Sequence, residues 1–110
     1  MGRIALFLMA LASAVQADGW QKLTTDEISA LLRGRVVDYA SGWQDFRPSG
    51  RTLYDAGRES WGYWDARDDL YCSQWPPADG WACYEVFHDA GRVRFLGTRG
   101  DITDGVLRVE

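Results

Sequence analysis

The stretch Leu70-Tyr71-Cys72-Ser73-Gln74-Trp75-Pro76-Pro77-Ala78-Asp79-Gly80-Trp81-Ala82-Cys83-Tyr84-Glu85 decides the fold. Two aromatic-rich runs, each holding one of the chain's two cysteines, flank a cluster of residues that favour turns. If Cys72 faces Cys83 across an antiparallel hairpin, Tyr71 meets Tyr84, Leu70 meets Glu85 and Gln74 meets Trp81. Both prolines then fall in the loop Pro76 to Asp79, where no ladder N–H is required. The other arrangement puts the cysteines in neighbouring segments without direct pairing.

Working outward from this hairpin, turn residues recur every 8 to 12 positions, the spacing of an all-β sandwich or barrel. The runs 35–39, 42–47, 51–55, 60–66, 70–75, 81–88, 92–97 and 105–109 are predicted strands. Their connections are short, which demands antiparallel neighbours, because a parallel crossover needs about a dozen residues. Upstream, Thr24 and Glu27 form a capping box, and Ile28, Leu31 and Leu32 share one helical face up to Gly34, predicting a short helix over 25–33. Asp18 to Leu23 reads as a loose lead-in. The expected fold is therefore mainly β, an eight-stranded antiparallel meander or barrel with one short N-terminal helix. Barrel closure would remove exposed edges, and the helix could cap one end.

The N-terminus bears on compartment. Residues 1–17 carry a single charge at Arg3, a continuous apolar run from Ile4 to Ala12, and Val15 and Ala17 placed as small residues before a cut. They read as a signal peptide, with 18–110 as a single β-rich domain. A membrane anchor is the other reading, but the run is short of the roughly 20 residues a span requires. The expected location is periplasmic or secreted, with no membrane span after cleavage. In an oxidising compartment Cys72 and Cys83 are expected to form a disulfide, since two thiols and the lone His88 are too few for a structural zinc site.

Strand alternation leaves the inner face open. Trp61 and Tyr63 share one side of their strand while Gly62 and Trp64 share the other; Trp81, Cys83 and Phe87 oppose Tyr84 and Val86. The capped helix, the eight short strands and the stretches Gly62-Tyr63-Trp64, Tyr71-Cys72-Ser73-Gln74-Trp75 and Trp81-Ala82-Cys83-Tyr84 resemble a group of small exported bacterial domains with a lipocalin-like barrel. That resemblance implies binding rather than catalysis, since such barrels hold a small apolar ligand and exported protease inhibitors of similar size use a comparable barrel. Lipocalins proper carry a G-x-W signature, whereas Gly42 and Trp43 are adjacent here.

No catalytic constellation emerges. His88 stands beside Asp89 but lacks a partner nucleophile, and Ser29, Ser41, Ser49, Ser60 and Ser73 have no G-x-S-x-G context. Asp65, Asp68 and Asp69, like Asp101 and Asp104, cluster at turns without the spacing of a calcium loop, so no metal or other cofactor is expected. Arg99-Gly100-Asp101 matches an adhesion tripeptide that a chain rich in these residues produces by chance, and a Gly-Asp turn accounts for it. The formal charge of −4 argues against nucleic acid as a partner. Six tryptophans are the chain's most unusual feature. The expectation is a non-catalytic binding module for a small apolar or glycan ligand, using Trp43, Trp61, Trp64, Trp75 and Trp81. The alternative is a cell-envelope protein-interaction or inhibitor domain that projects the hairpin tip Trp75 to Trp81. An enzyme based on His88 is the third reading.

Overall fold

A computed structural model describes residues 19–110. The signal-peptide reading of 1–17 lies outside them. Strand β1 (Gln21–Lys22) precedes helix α1 (Thr25–Leu32). Eight longer strands follow: β2 (Arg35–Tyr39), β3 (Gly42–Phe46), β4 (Arg51–Asp55), β5 (Glu59–Arg67), β6 (Leu70–Gln74), β7 (Trp81–Asp89), β8 (Arg92–Gly97) and β9 (Ile102–Leu107).

Each strand from β2 to β9 pairs antiparallel with the next, and β9 pairs back with β2, so the eight strands close into a barrel. The β6–β7 register matches the hairpin expectation: Tyr71 opposes Tyr84, Cys72 opposes Cys83 and Gln74 opposes Trp81. Leu70 and Glu85 fall just beyond that ladder. Cys72 and Cys83 are joined by a disulfide with their Cα atoms 4.0 Å apart.

Two elements depart from the expected boundaries by more than one residue. Residues 21–22, read as part of a lead-in, instead add a two-residue strand to β7 at Phe87 and His88. Strand β6 leaves that edge of β7 unpaired past Tyr84, and β1 occupies it. The last strand begins at Ile102 rather than 105, because the β8 ladder continues through Thr103 and Asp104 to Arg94 and Phe95. The turn Gly97–Ile102 is correspondingly tight, with Gly97 N–H donating to the Asp101 carbonyl at 2.8 Å.

The capping box at α1 is present in full, Thr24 Oγ1 accepting from Glu27 N–H and Glu27 accepting from Thr24 N–H. Ile28 and Leu32 on its inner face are fully buried. They close one end of the barrel over Phe46, Trp64, Val37, Val86, Val93 and Leu107, which form the core with Tyr71 and Phe95. Phe46 is the hub, edge-on to Trp64 at 5.5 Å and to Tyr71 at 5.6 Å between ring centroids. Such pairs add about 0.5–1.5 kcal/mol each beyond the area they bury.

Alternation decides the inner face that sequence left open. Gly62, Trp64, Tyr84 and Val86 point in, while Trp61, Tyr63 and Trp81 stand about 40% exposed outside. Among the described residues no helix is long and apolar enough to cross a membrane.

Candidate functional site

In an up-and-down barrel successive turns alternate between the two ends. The turns after β3, β5 and β7 lie at the end plugged by α1; those after β2, β4, β6 and β8 surround the other end. That second end is hollow. A cavity of about 490 Å³ opens there, walled by Tyr39, Tyr54, Trp75, Tyr84 and Phe95, with Tyr71, Gln44 and Ser73 deeper inside. This lies within the range of about 300–1,000 Å³ typical of small-ligand pockets.

A polar network forms the floor. Gln44, almost fully buried on β3, donates its amide hydrogens to Thr52 Oγ1 at 3.0 Å and to the Tyr71 hydroxyl at 2.9 Å. Its Oε1 accepts from the Tyr39 hydroxyl at 2.8 Å, and Thr52 donates on to the Asp45 carbonyl. Every polar atom of the Gln44 side chain is thus engaged, which is what makes a buried amide tolerable beneath an aromatic cup. Burial pushes the Tyr71 phenol up to about 12, with hydrogen bonds to Ser73 and Gln44 working against the rise. Burial, reinforced by the neighbouring tyrosines, drives Tyr39 further up. Both phenols are therefore neutral at any physiological pH.

Trp75, just beyond β6, forms the lip. Its ring lies across Gly62 of β5, where an added Cβ would stand 2.6 Å from both the Trp75 ring and the Gln74 carbonyl oxygen. Only a glycine permits that approach. The indole N–H donates to Ser73 Oγ at 3.1 Å, and Tyr54 packs edge-on at 6.1 Å. On the opposite wall Gly105 leaves room for Tyr39, whose Cδ1 would lie 2.9 Å from a Cβ there.

The five tryptophans singled out from the sequence separate into different environments. Trp75 alone among them lines this cavity. Trp64 is buried in the plugged half, donating its indole N–H to the Arg47 carbonyl at 3.0 Å, with the Arg33 guanidinium 4.8 Å from its centroid. Trp43, Trp61 and Trp81 lie on the outer face, each beneath an arginine: Arg108 at 5.7 Å, Arg51 at 4.8 Å and Arg67 at 4.6 Å respectively. Trp20 has the guanidiniums of Arg92 and Arg94 over its ring, both at 4.4 Å.

Sequence reading missed the tyrosines. Four of the chain's five, at 39, 54, 71 and 84, converge on the cavity from four strands. The signal was present in the pairing: once Tyr71 faces Tyr84 inside, alternation carried through the short turns puts Tyr54 and Tyr39 on the same face.

The remaining candidates have local roles. His88 Nε2 accepts the Gly91 N–H at 3.3 Å across the β7–β8 turn, which occupies the nitrogen a general base would use. Asp69 is bound to Thr25, and Asp65 pairs with Arg67. Among the described residues no three His, Cys, Asp or Glu side chains gather as they would around a metal ion. Gly100 takes a left-handed φ of 84° in the turn that carries Arg99 and Asp101. Comparison with protein-family models, with curated proteins and with solved structures finds no match to this chain.

Proposed function

We propose that this barrel is a non-catalytic binding module of an exported compartment, taking a small ligand with an apolar or ring-stacking surface into the mouth cavity. One observation carries the reading: the interior is divided, packed solid under α1 and hollow at the opposite mouth. A purely structural barrel of this size gains stability by filling its interior, whereas this one spends six aromatic rings on the walls of an open cup. The likeness to small exported lipocalin-like domains points the same way. The disulfide is compatible with an oxidising location.

A second reading, a protein-interaction or inhibitor domain, draws on the exposed Trp61, Tyr63 and Trp81 of the outer face. It is weaker, because these rings already hold arginines over their faces.

The test is a titration followed by two-dimensional NMR of the ring and indole resonances, with small apolar compounds and methyl glycosides as probes. Shifts concentrated at Tyr39, Tyr54, Trp75 and Tyr84, and abolished by Gly62→Val, support the mouth site. Shifts at Trp61 and Trp81 alone, or no shift with any probe while an envelope protein co-purifies through the 75–81 tip, would overturn it.

A further inference from the structure

The arginines of this protein are distributed in a way that composition does not require. Seven of them stack on aromatic rings: Arg33, Arg47, Arg51, Arg67, Arg92, Arg94 and Arg108, in eight contacts of 4.4 to 5.7 Å. Every tryptophan except Trp75 carries a guanidinium, as does Tyr63, the one tyrosine outside the barrel. The rings of the mouth have none: no Arg, Lys or His is among the residues lining the cavity.

We propose that the ligand of the mouth cavity is a small organic cation, a quaternary ammonium or multiply methylated amine, held by the aromatic wall of Trp75, Tyr54, Tyr39 and Tyr84. This rests on the mouth being a ligand site and names the chemistry it selects. Three observations support the choice. The rings converge from strands all around the barrel, so aromatic side chains surround one volume. Four hydrogen-bond donors of the lining are already used within the wall, both Gln44 amide hydrogens, the Tyr39 hydroxyl and the Trp75 indole N–H, which leaves neutral hydroxyls such as those of Tyr54 and Tyr84 and no cationic donor. An anion or a densely hydroxylated sugar needs such donors, and an alkylated ammonium does not. The one charged lining residue, Asp104, is a carboxylate engaged by Arg94 through two hydrogen bonds of 2.8 and 2.9 Å, and in the rim turns Arg58 and Arg99 are matched by Glu59, Asp79 and Asp101, so no excess positive charge repels a cation.

Hydration favours a quaternary ammonium over other cations. A quaternary ammonium spreads its charge over methyl groups and is weakly hydrated, so burying it costs less than burying a primary amine. Each ring then attracts the cation through its quadrupole. Tyr39 contributes as a neutral ring, since burial suppresses its ionisation.

Choline and tetramethylammonium should be titrated against the full oxidised chain beside 3,3-dimethyl-1-butanol, the uncharged carbon isostere of choline, and methyl glucoside, with NMR shifts of the mouth rings as readout. The expected result is binding of choline at least about 10-fold tighter than its isostere. Trp75→Leu, which keeps apolar bulk and removes the ring face, should weaken choline about 5- to 10-fold and leave the isostere within about 2-fold. Tyr54→Leu serves the same purpose if Trp75→Leu does not fold. Equal or tighter binding of the isostere or the glucoside at the mouth overturns the cation assignment and leaves the binding site standing. No shift of any mouth resonance with any of the four probes overturns both.

Discussion

Thr25 and Asp69, 44 residues apart, hold each other through three hydrogen bonds: Thr25 N–H and Oγ1–H both donate to Asp69 Oδ1, and Asp69 N–H donates to Thr25 Oγ1. This clasp ties the first turn of α1 to the β5–β6 hairpin, and so fixes the plug to the barrel. Asp69 also occupies a left-handed φ of 59° beside Asp68 at 55°, the two-residue turn that matches strand twist and suits Asp or Asn.

Asp69→Asn preserves that backbone preference while removing the charge, and should lower Tm at neutral pH. The Thr25 backbone N–H, and then its hydroxyl, hold the Asp69 carboxyl below its usual value. A carboxyl with a depressed folded-state value stabilises above its unfolded value and loses that contribution as pH falls through the carboxylate range. The difference in Tm between Asp69→Asn and the parent should therefore shrink towards pH 2, as followed by circular dichroism.

Alkali should act through the barrel's interior. The Tyr71 phenol stays protonated in the fold to about pH 12 and Tyr39 beyond it, whereas both ionise near pH 10 once unfolded. Between pH 10 and 12 the folded state binds more protons than the unfolded one, so stability falls by up to about 1.4 kcal/mol per pH unit for each phenol. Urea unfolding at pH 9, 10 and 11 measures this slope. Tyr39→Phe should flatten it.

Gln44→Leu should cost about 2–3 kcal/mol, because it leaves the Tyr39, Tyr71 and Thr52 hydroxyls without their common partner in a region closed to most solvent. Chemical denaturation gives the loss. Replacing Gln44 by Glu, which keeps the shape and adds a charge, should be worse.

Cys72→Ser combined with Cys83→Ser should lower stability by about 2–3 kcal/mol, the contribution of closing a loop of this size. The reduced parent protein should match the double variant in urea unfolding.

Ala90→Gly should stabilise by about 0.5–1 kcal/mol, since Ala90 sits at a φ of 50° where a Cβ is unfavourable. Thermal unfolding would register a gain of a few degrees.

The hairpin Leu70 to Glu85 made the strand direction, the register and the disulfide legible together, because two cysteines and two prolines constrain the same ladder from opposite ends. The capped helix was equally readable, as Thr24 and Glu27 act locally. Gln21–Lys22 was not, since two polar residues carry no β pattern and pair only because β7 is longer than β6. The start of β9 at Ile102 was missed because Asp104 favours turns in isolation and is held extended by its pairing with Arg94. The cavity was the least legible feature. Tryptophan attracts attention by rarity, yet four of the five candidates are covered by arginine or core, and what distinguishes Trp75 is its contact with Gly62, thirteen positions upstream.

The alternation of turns between the two barrel ends also bears on how the protein can change over evolutionary time. Insertions or substitutions in 40–41, 56–58, 76–80 and 98–101 reshape only the rim of the cup, while the clasp, the helix and the Phe46 hub lie at the far end. Selection can thus retune what the mouth accepts without reopening the question of whether the chain folds, and a library randomised at those loops alone would inherit a finished scaffold.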